Sequence, residues 1–372
     1  MKIISERNCS EFLKEEVKQK YGWSVVKEFE DSITLSLAKP DIVRLAYTVQ
    51  TANTILLDLG NITFNSKQDI LNHAKKIDFE LVNNNMFRTY KVVCDRQGDH
   101  EFRSVDIEKL VFDEVGDEIT SEPDLKNPSS ILKIVIRNDK AYFGLDLTEE
   151  DLSKRNYKVF NNNKSLRASV AASFLYFSKY EPGQVMVDPF SLGGTIVIEA
   201  AFLASQKPVR YYTKDVVERM RLPKINPRKQ LDEEDDKEVS ELPGKIYSLD
   251  ASFSNLSSQK KNGKIAGVAK YIDFARVDAI AADLRFERNS VDLICTKIME
   301  PSKKISEKEA LKTYELFIYR FEYVLKQEGS ICVIARNPEL FTKKADEFGF
   351  FEKERKRIYQ GKLGLTMVRY VR

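Results

Sequence analysis

Histidine is nearly absent from this sequence, cysteine is scarce, and neither a long apolar run nor an excess of one charge occurs. His73 and His100 are the two histidines that any Ser-His or Cys-His catalytic system would have to use, and neither has a nucleophile motif nearby, so that class is set aside. Cys9, Cys94, Cys295 and Cys332 stand singly, with no C-x-x-C pair, which argues against a structural zinc site or a disulfide framework. The N-terminal stretch MKIISERNCSEFLKEEV breaks its apolar run with charge after Ile4, and no later segment reaches the ~18 uncharged apolar residues of a membrane span. A soluble, cytoplasmic chain is the expectation. Sixty Lys and Arg against 57 Asp and Glu leave a net +3, so a nucleic-acid site must come from local clustering of charge. No repeat with a period of roughly 20 to 50 residues is visible, which argues against a solenoid.

What is present suffices for ordinary globular cores: 42% of the 372 residues are hydrophobic and 31% charged. That length predicts on the order of two to three domains. Up to about Leu147, short helices and strands intermingle without a βαβ rhythm, the signature of α+β. CSEFLKEEVKQKYG has helical spacing and stops at Gly22, DSITLSLA and NTILLDLGNITF read as strands, and SVDIEKLVFDEVGDEI is a helix with Ser104 expected as N-cap. ILKIVIRNDKAYFGLDL is a hairpin turned at Asn138-Asp139. A linker, LTEEDLSKRNYKVFNNNKSLRASVAASFLYFSKY, then leads into strands alternating with helices and a final hairpin, which predicts a parallel sheet covered on both faces in a doubly wound α/β domain.

The rhythm stops between Ser205 and Leu242. Lys207, Arg210, Lys214, Arg219, Arg221, Lys224, Arg228 and Lys229, interleaved with Tyr211 and Tyr212, precede the acidic LDEEDDKEVSE. This insert is either a solvated loop whose halves partly neutralise each other or a basic lip over an RNA channel.

VMVDPFSLGGT is the densest signal. A buried strand ends at Asp188, and a Gly-containing turn feeds the helix TIVIEAAFLA, the place in a doubly wound sheet where nucleotide-like ligands lie. KIYSLDA ends the next strand at Asp250, whose carboxylate can accept both ribose hydroxyl protons, and FARVDA brings Asp278 to a third strand end. Three acids at successive strand ends point to an adenosine-containing cofactor; each alone could equally be a capping or turn residue. At the end of the fourth strand, VDLICTKIMEP, Lys297 and Glu300 either pair across the pocket mouth or stand as solvated rim residues. In the first half, DRQGDHEFRSVDIEK sets Arg96, His100, Arg103 and Lys109 around Phe102. The cations and the ring suit a phosphate backbone and an exposed base; the alternative is a strand-to-helix turn with Phe102 in the core and His100 bonded to backbone.

On these segments the chain resembles the THUMP-domain methyltransferases, most closely the archaeal and bacterial enzymes that methylate N2 of a guanosine in tRNA. Arg96, Gly98, His100, Phe102, Ser104 and Asp106 match the family's R-x-G-x-H-x-F-x-S-x-D segment. LAYTVQTANTILLDLG, YFGLDLTEEDLSKRNYKV and SLRASVAASFLYFS are similar to further passages, in order along nearly the whole chain. The resemblance implies a ferredoxin-like N-terminal part over residues 1–60 and a THUMP RNA-binding domain over 61–148. A linker and helix over 149–182 then precede a Rossmann-like domain over 183–372, with the charged insert at 205–242. It implies S-adenosylmethionine as cofactor, held by Asp188, Pro189, Gly193, Gly194, Thr195, Asp250 and Asp278. It further implies tRNA as partner, gripped by Arg96, His100, Arg103 and Lys109, with Arg155 and Arg167 in the matching linker passages on the RNA or fixing the domains.

The pattern breaks where the chemistry belongs. Where the family has D-P-[MF]-C-G-S-G-T, this chain reads DPFSLGGT, with Leu192 in place of the first glycine, and a one-residue shift onto Gly193 is the expected rescue. Where amino methyltransferases carry N/D-P-P-Y/F, it has Lys297, Ile298, Met299 and Glu300. A lysine cannot accept the amine's hydrogens, and no aromatic ring stacks the flipped base. The expectation is a tRNA-binding protein of this fold with weak or lost methyl transfer. Two alternatives stand beside it, an active tRNA guanine-N2 methyltransferase and a structural or activating subunit that completes another enzyme's modification site.

Overall fold

The computed structural model describes residues 1–148, 150–160, 164–218, 220 and 226–372. Its N-terminal half begins with β1 (Lys2–Ser5), α1 (Ser10–Tyr21), β2 (Lys27–Glu28), β3 (Ser32–Thr34), α2 (Lys39–Thr48) and the long β4 (Ala52–Thr63). It continues through α3 (Lys67–Ala74), α4 (Phe79–Asn85), β5 (Thr89–Gln97), α5 (Ser104–Val115), β6 (Glu122–Pro123), β7 (Ser130–Arg137) and β8 (Lys140–Asp146). All eight strands form one sheet in the order β2-β3-β1-β4-β8-β7-β5-β6. β4 is what makes it one sheet: Ala52 to Leu56 pair with β1, while Leu56 to Thr63 pair with β8. The division expected at residue 60 therefore falls inside a single strand. At Gly60 β4 is bulged with φ 115°, and a β-carbon there would stand 2.8 Å from His73 Nε2, so only glycine fits without displacing the ring.

The local signals act as read in several places. α1 ends at Gly22 in the left-handed region, and β7 turns into β8 through Asn138, also left-handed, as a two-residue hairpin demands. Ser104 is a correction: it is the first helical residue of α5, and the Asp106 carboxylate caps the helix by accepting the Arg103 backbone N–H at 2.8 Å. The elements that went unread include α2, α4 and the strand β1 near the start of the sequence.

The second half contributes α6 (Ala168–Phe177), β9 (Val185–Asp188), α7 (Thr195–Ser205), α8 (Lys214–Glu218), α9 (Arg228–Asp235), β10 (Lys245–Asp250) and α10 (Phe253–Ala266). After these come β11 (Ile272–Arg276), β12 (Val291–Lys297), α11 (Glu307–Val324), β13 (Leu325–Ala335), α12 (Glu339–Glu347) and the hairpin β14 (Phe351–Gln360), β15 (Leu363–Val371). The sheet order is β11-β10-β9-β12-β13-β15-β14, parallel from β9 to β13 with β15 antiparallel between β13 and β14. This is the doubly wound Rossmann-like sheet. Its direction of winding reverses between β9 and β12, which opens a crevice at their carboxyl ends.

The two halves share a polar core. α7 is apolar almost all round and buried, and its single charge, Glu199, is fully buried as well. Glu199 accepts from Gln50 Nε2 at 2.8 Å, Tyr157 Oη at 2.9 Å and Arg155 Nε at 3.1 Å, while Arg155 also donates to the Gln50 carbonyl at 2.7 Å. Arg155, read as lying on the RNA or fixing the domains, has its side chain 1% exposed and joins the halves as a strut.

The insert is the other strut. α9 packs on α2 through Arg44–Glu234 at 2.7 Å and Tyr47 Oη to Asp235 at 2.7 Å. Val217, Met220 and Leu231 enter the N-terminal hydrophobic core. Arg210 is buried and donates to the carbonyls of Ala46 at 2.7 Å, Val49 at 3.2 Å and Leu152 at 3.1 Å. Lys207 pairs with Glu238 at 2.7 Å, and Lys214 with Asp235. The basic and acidic halves do neutralise each other, but within a packed clamp, and Lys207 and Arg210 form no RNA lip. Arg219, Arg221 and Lys224 lie outside the described residues.

Removing one partner of a buried pair leaves the other charge uncompensated, so Glu199→Ala should destabilise the protein by about 3–5 kcal/mol and Glu199→Gln by less, because the amide oxygen still accepts. Denaturant unfolding of the full chain measures this; a loss below about 1 kcal/mol for Glu199→Ala would mean that packing alone joins the halves.

Candidate functional site

At the carboxyl ends of β9, β10 and β12 lies a cleft of about 650 Å³, within the size range of small-ligand sites. Pro189, Phe190 and Leu192 line one wall, Asp250, Asn255, Asp278 and Ile280 the next, and Lys164, Lys297, Met299, Glu300 and Arg336 the end under β12 and β13. Of the residues expected to hold a cofactor, Pro189, Asp250 and Asp278 reach this cleft. Asp188, Gly193, Gly194 and Thr195 are buried behind it.

Asp188 is a correction in role. It is 1% exposed, and its Oδ1 accepts from Thr296 Oγ1 at 2.7 Å and from the Phe190 N–H at 3.2 Å, so it ties the turn to β12 without touching the cleft. Burial pushes its carboxyl up to about 7, with the Thr296 and Phe190 hydrogen bonds opposing and the negative Asp250 reinforcing. Gly194 starts α7 in the left-handed region, where its carbonyl accepts from Ile198, and the Gly193 carbonyl accepts from Asn262 Nδ2 at 2.9 Å. The expected shift onto Gly193 does not occur. Leu192 itself takes φ 51°, a conformation that disfavours a branched residue by ~1–2 kcal/mol.

Asp250, 8% exposed, accepts from the Ser252 N–H at 2.8 Å, the Leu192 N–H at 3.1 Å, and the Asn255 amide at 3.1 Å and 3.0 Å on its two oxygens. A carboxylate offers about four lone-pair sites, so a ribose diol would have to displace donors of the chain itself. With Leu192 also projecting where a glycine would let the backbone approach, the residues as arranged do not fit S-adenosylmethionine. Asp278 caps the following turn by accepting from the Ile280 N–H at 3.2 Å and also lines the cleft.

At the catalytic position Lys297 and Glu300 do not pair. Glu300 Oε1 accepts the backbone N–H groups of Arg336 at 3.1 Å and Asn337 at 3.0 Å, and its Oε2 meets Arg336 Nε at 3.4 Å. Lys297 donates to the Lys164 carbonyl. Burial lowers its ammonium pKa from the ordinary lysine value; Glu300 works against this and Arg336 and Lys164 with it. Ile298 is buried in the core, and the Met299 carbonyl accepts from Tyr314 Oη. Arg336, Lys164 and Asn255 were missed from the sequence, although Arg336 directly follows the strand SICVIA and so had to stand at the same edge.

In the first half, Arg96 Nη1 approaches His100 Nδ1 at 2.8 Å, and His100 Nε2 lies 2.6 Å from the Asn138 carbonyl. A guanidinium only donates, so Nδ1 is the acceptor and Nε2 carries the proton. Phe102 is core, and His100 stacks on Phe64 and packs tilted against Phe102, so the turn reading holds for both. Arg103 and Lys109 are exposed, the former paired with Asp106 at 3.1 Å. Arg167 bridges α6 to Glu6 at 3.0 Å with its side chain 45% exposed.

A doubly wound sheet with a cleft at its switch point is an architecture that methyltransferases share with other ligand-binding α/β proteins. The chain belongs to the family described as "RMKL-like, methyltransferase domain", whose profile matches residues 155–369, and a THUMP domain matches residues 64–146. It is 27% identical over 350 residues to the tRNA (guanine(6)-N2)-methyltransferase of Methanocaldococcus jannaschii, covering 89% of this chain and 88% of that one. Among solved structures it is similar to a protein of Clostridium difficile 630 described as a possible methylase, with TM-score 0.81, 20% identity, and 100% and 97% of the two chains covered. SMU.472 complexed with SAH gives TM-score 0.79 at 14% identity over 100% and 97% of the chains. Among the described residues no helix is long and apolar enough to cross a membrane.

A raised carboxyl pKa sets the sign of a pH effect. The folded chain holds the Asp188 proton more tightly than the unfolded one, so the contribution is complete below about pH 4 and is lost as pH rises through about 7. Relative to Asp188→Asn, the native chain should lose on the order of 4 kcal/mol between about pH 4 and pH 8. Parallel pH dependences of denaturant stability in the two proteins would contradict it.

Proposed function

We propose that this protein binds tRNA through its THUMP-containing half and transfers no methyl group, or does so feebly. The observation that carries the reading is the pair of residues at the catalytic position. An ammonium stands where an oxygen must accept the amine's hydrogens, and a carboxylate engaged by the Arg336 and Asn337 backbone stands where an aromatic ring must stack the base. The amine gains positive character as it attacks, so Lys297 opposes the transition state as well as failing to hold the ground state. Loss of one preorganised contact of this kind lowers the rate ~10²- to 10³-fold, and loss of base stacking removes a further ~1–3 kcal/mol. The filled Asp250 and the Leu192 turn support weak or absent S-adenosylmethionine binding. A second reading, an active tRNA guanine-N2 methyltransferase, is favoured by the end-to-end likeness to the M. jannaschii enzyme.

Methyl transfer from labelled S-adenosylmethionine to total tRNA separates the two. The expected result is incorporation at background, and robust turnover by the unmodified chain on any tRNA would establish the second reading. Restoring Lys297→Asn, Ile298→Pro, Met299→Pro and Glu300→Tyr should help only together with Leu192→Gly. Even then, the loss of Glu300 leaves two backbone N–H groups unpartnered.

Binding is tested separately. Arg96→Ala with Arg103→Ala should weaken tRNA affinity and flatten its fall with salt, as expected for phosphate contacts. An affinity equal to that of the native chain at every salt concentration would remove this segment from the interface.

A further inference from the structure

Residues 251–272 carry four lysines and no acid. α10 runs through this stretch, and polar anchors fix which of its faces is buried. Gln259 Nε2 donates to the Leu192 carbonyl at 3.1 Å and Asn262 Nδ2 to the Gly193 carbonyl at 2.9 Å, while the Asn262 amide exchanges two hydrogen bonds of 3.1 Å with the Phe160 backbone. With that face held, a period of 3.6 residues brings Phe253, Ser257, Lys260 and Lys264 onto one line of the opposite face, with Lys261 beside them. Phe253 is 72% exposed, and the three lysines are exposed as well. Among the described residues Lys260 and Lys264 have no ion pair or hydrogen bond, and Lys261 Nζ lies 4.6 Å over the Phe160 ring. The line starts at the cleft, because Ser252 and Asn255 at the beginning of the helix line it. There Arg276, exposed at the end of β11, donates its Nε to the Ala251 carbonyl at 3.1 Å, which holds the guanidinium beside the helix start. Lys270 pairs with Glu238 at 3.3 Å and stands apart from the line. Of the acids nearest in the chain, Asp250 is buried with both oxygens occupied, and Asp273 pairs with Arg285 at 2.7 Å. Exposed Asp278 caps its own turn in the cleft, so Lys260, Lys261, Lys264 and Arg276 stand against that one carboxylate.

An exposed ring alone, or an exposed lysine alone, is ordinary on a protein surface. Their order on one face is what selects a partner. A phosphate chain with an unstacked base is complementary to the whole line: Lys260, Lys264 and Arg276 meet phosphates, and the Phe253 ring offers a base a stacking platform. Lys260 and Lys264 lie ~6 Å apart along the helix axis, close to the step between successive phosphates of one strand. An acidic peptide would satisfy the cations and leave the ring without a planar partner, and a duplex keeps its bases stacked out of the ring's reach. We propose that the outer face of α10 is a second RNA-binding surface, which holds an unpaired stretch of the bound tRNA at the mouth of the cleft. The proposal rests on the reading of the protein as a tRNA binder, and it extends the interface from the THUMP-containing half onto the doubly wound domain. Backbone contact and stacking of this kind add affinity without reading sequence.

The test titrates labelled total tRNA with the full chain, followed by fluorescence anisotropy between about 50 and 200 mM KCl. Lys260→Gln with Lys264→Gln should lower the slope of log affinity against log salt by about 1 to 2, and Lys260→Arg with Lys264→Arg should keep it. Phe253→Ala should weaken binding roughly 5- to 100-fold and leave the slope unchanged. Lys343→Gln with Lys353→Gln removes the same charge from exposed positions on α12 and β14, and the native slope is expected there. An equal fall in that pair would mean that net charge alone is read, and would overturn the surface. Native slope and affinity in both the Lys260→Gln, Lys264→Gln chain and Phe253→Ala would overturn it too. A lowered slope together with full affinity in Phe253→Ala would assign the face to duplex backbone and overturn the unpaired strand. Every substituted side chain is exposed, and far-UV circular dichroism melts verify that each variant folds. Failure of the underlying reading shows earlier, as a native chain that does not bind tRNA.

Discussion

A carboxylate buried at the centre of an apolar helix is the constraint on which the two halves of this protein depend. Glu199 cannot stay charged inside the structure without partners, because the desolvation of an isolated carboxylate far exceeds the stability of a domain. The partners come from two places in the chain: Gln50 after α2, and Arg155 and Tyr157 in the linker. None of these segments can move independently without stranding a charge. Arg210 repeats the logic from the insert, with its guanidinium spent on three carbonyls of the N-terminal half and linker. The eight-stranded sheet and the doubly wound sheet are thereby held in one arrangement, and the cleft faces a fixed direction relative to the THUMP domain.

That fixed frame makes the shape of the cleft independent of the side chains at its catalytic position. The strand ends that define it are set by parallel pairing, Lys297 opposite Ile334 and Asp188 opposite Ser248, and by α7 behind them, none of which involves the altered side chains' polar atoms. Glu300 and Lys297 then found new partners within reach. A carboxylate beside two free backbone N–H groups at the end of β13 is satisfied whether or not a substrate ever arrives.

The architecture was legible in the sequence because it rests on period and punctuation. Continuous apolar runs such as VMV and SICVIA, separated by amphipathic helices, admit few alternatives to a parallel sheet, and Gly22 and Asn138 act through local backbone freedom alone. The site was legible only as positions. The family pattern led to Asp250, Lys297 and Glu300, which line the cleft, yet what each touches depends mostly on residues distant in the chain: Leu192 for Asp250, Arg336 for Glu300, Lys164 for Lys297. For Arg155 the sequence left two roles open, on the RNA or between the domains, and the placement of Glu199 beneath it is what turns it inward. A basic run beside an acidic one reads as solvated loop until α2 supplies the surface on which both fold.

The altered residues are consistent with one another, and this bears on how the cleft is to be understood. Random loss of a catalytic motif would leave unpartnered polar groups, each disfavoured by about 1–3 kcal/mol when buried. Here the Asp250 oxygens are occupied, Glu300 is held from two sides, the Met299 carbonyl has Tyr314, and Thr296 satisfies Asp188.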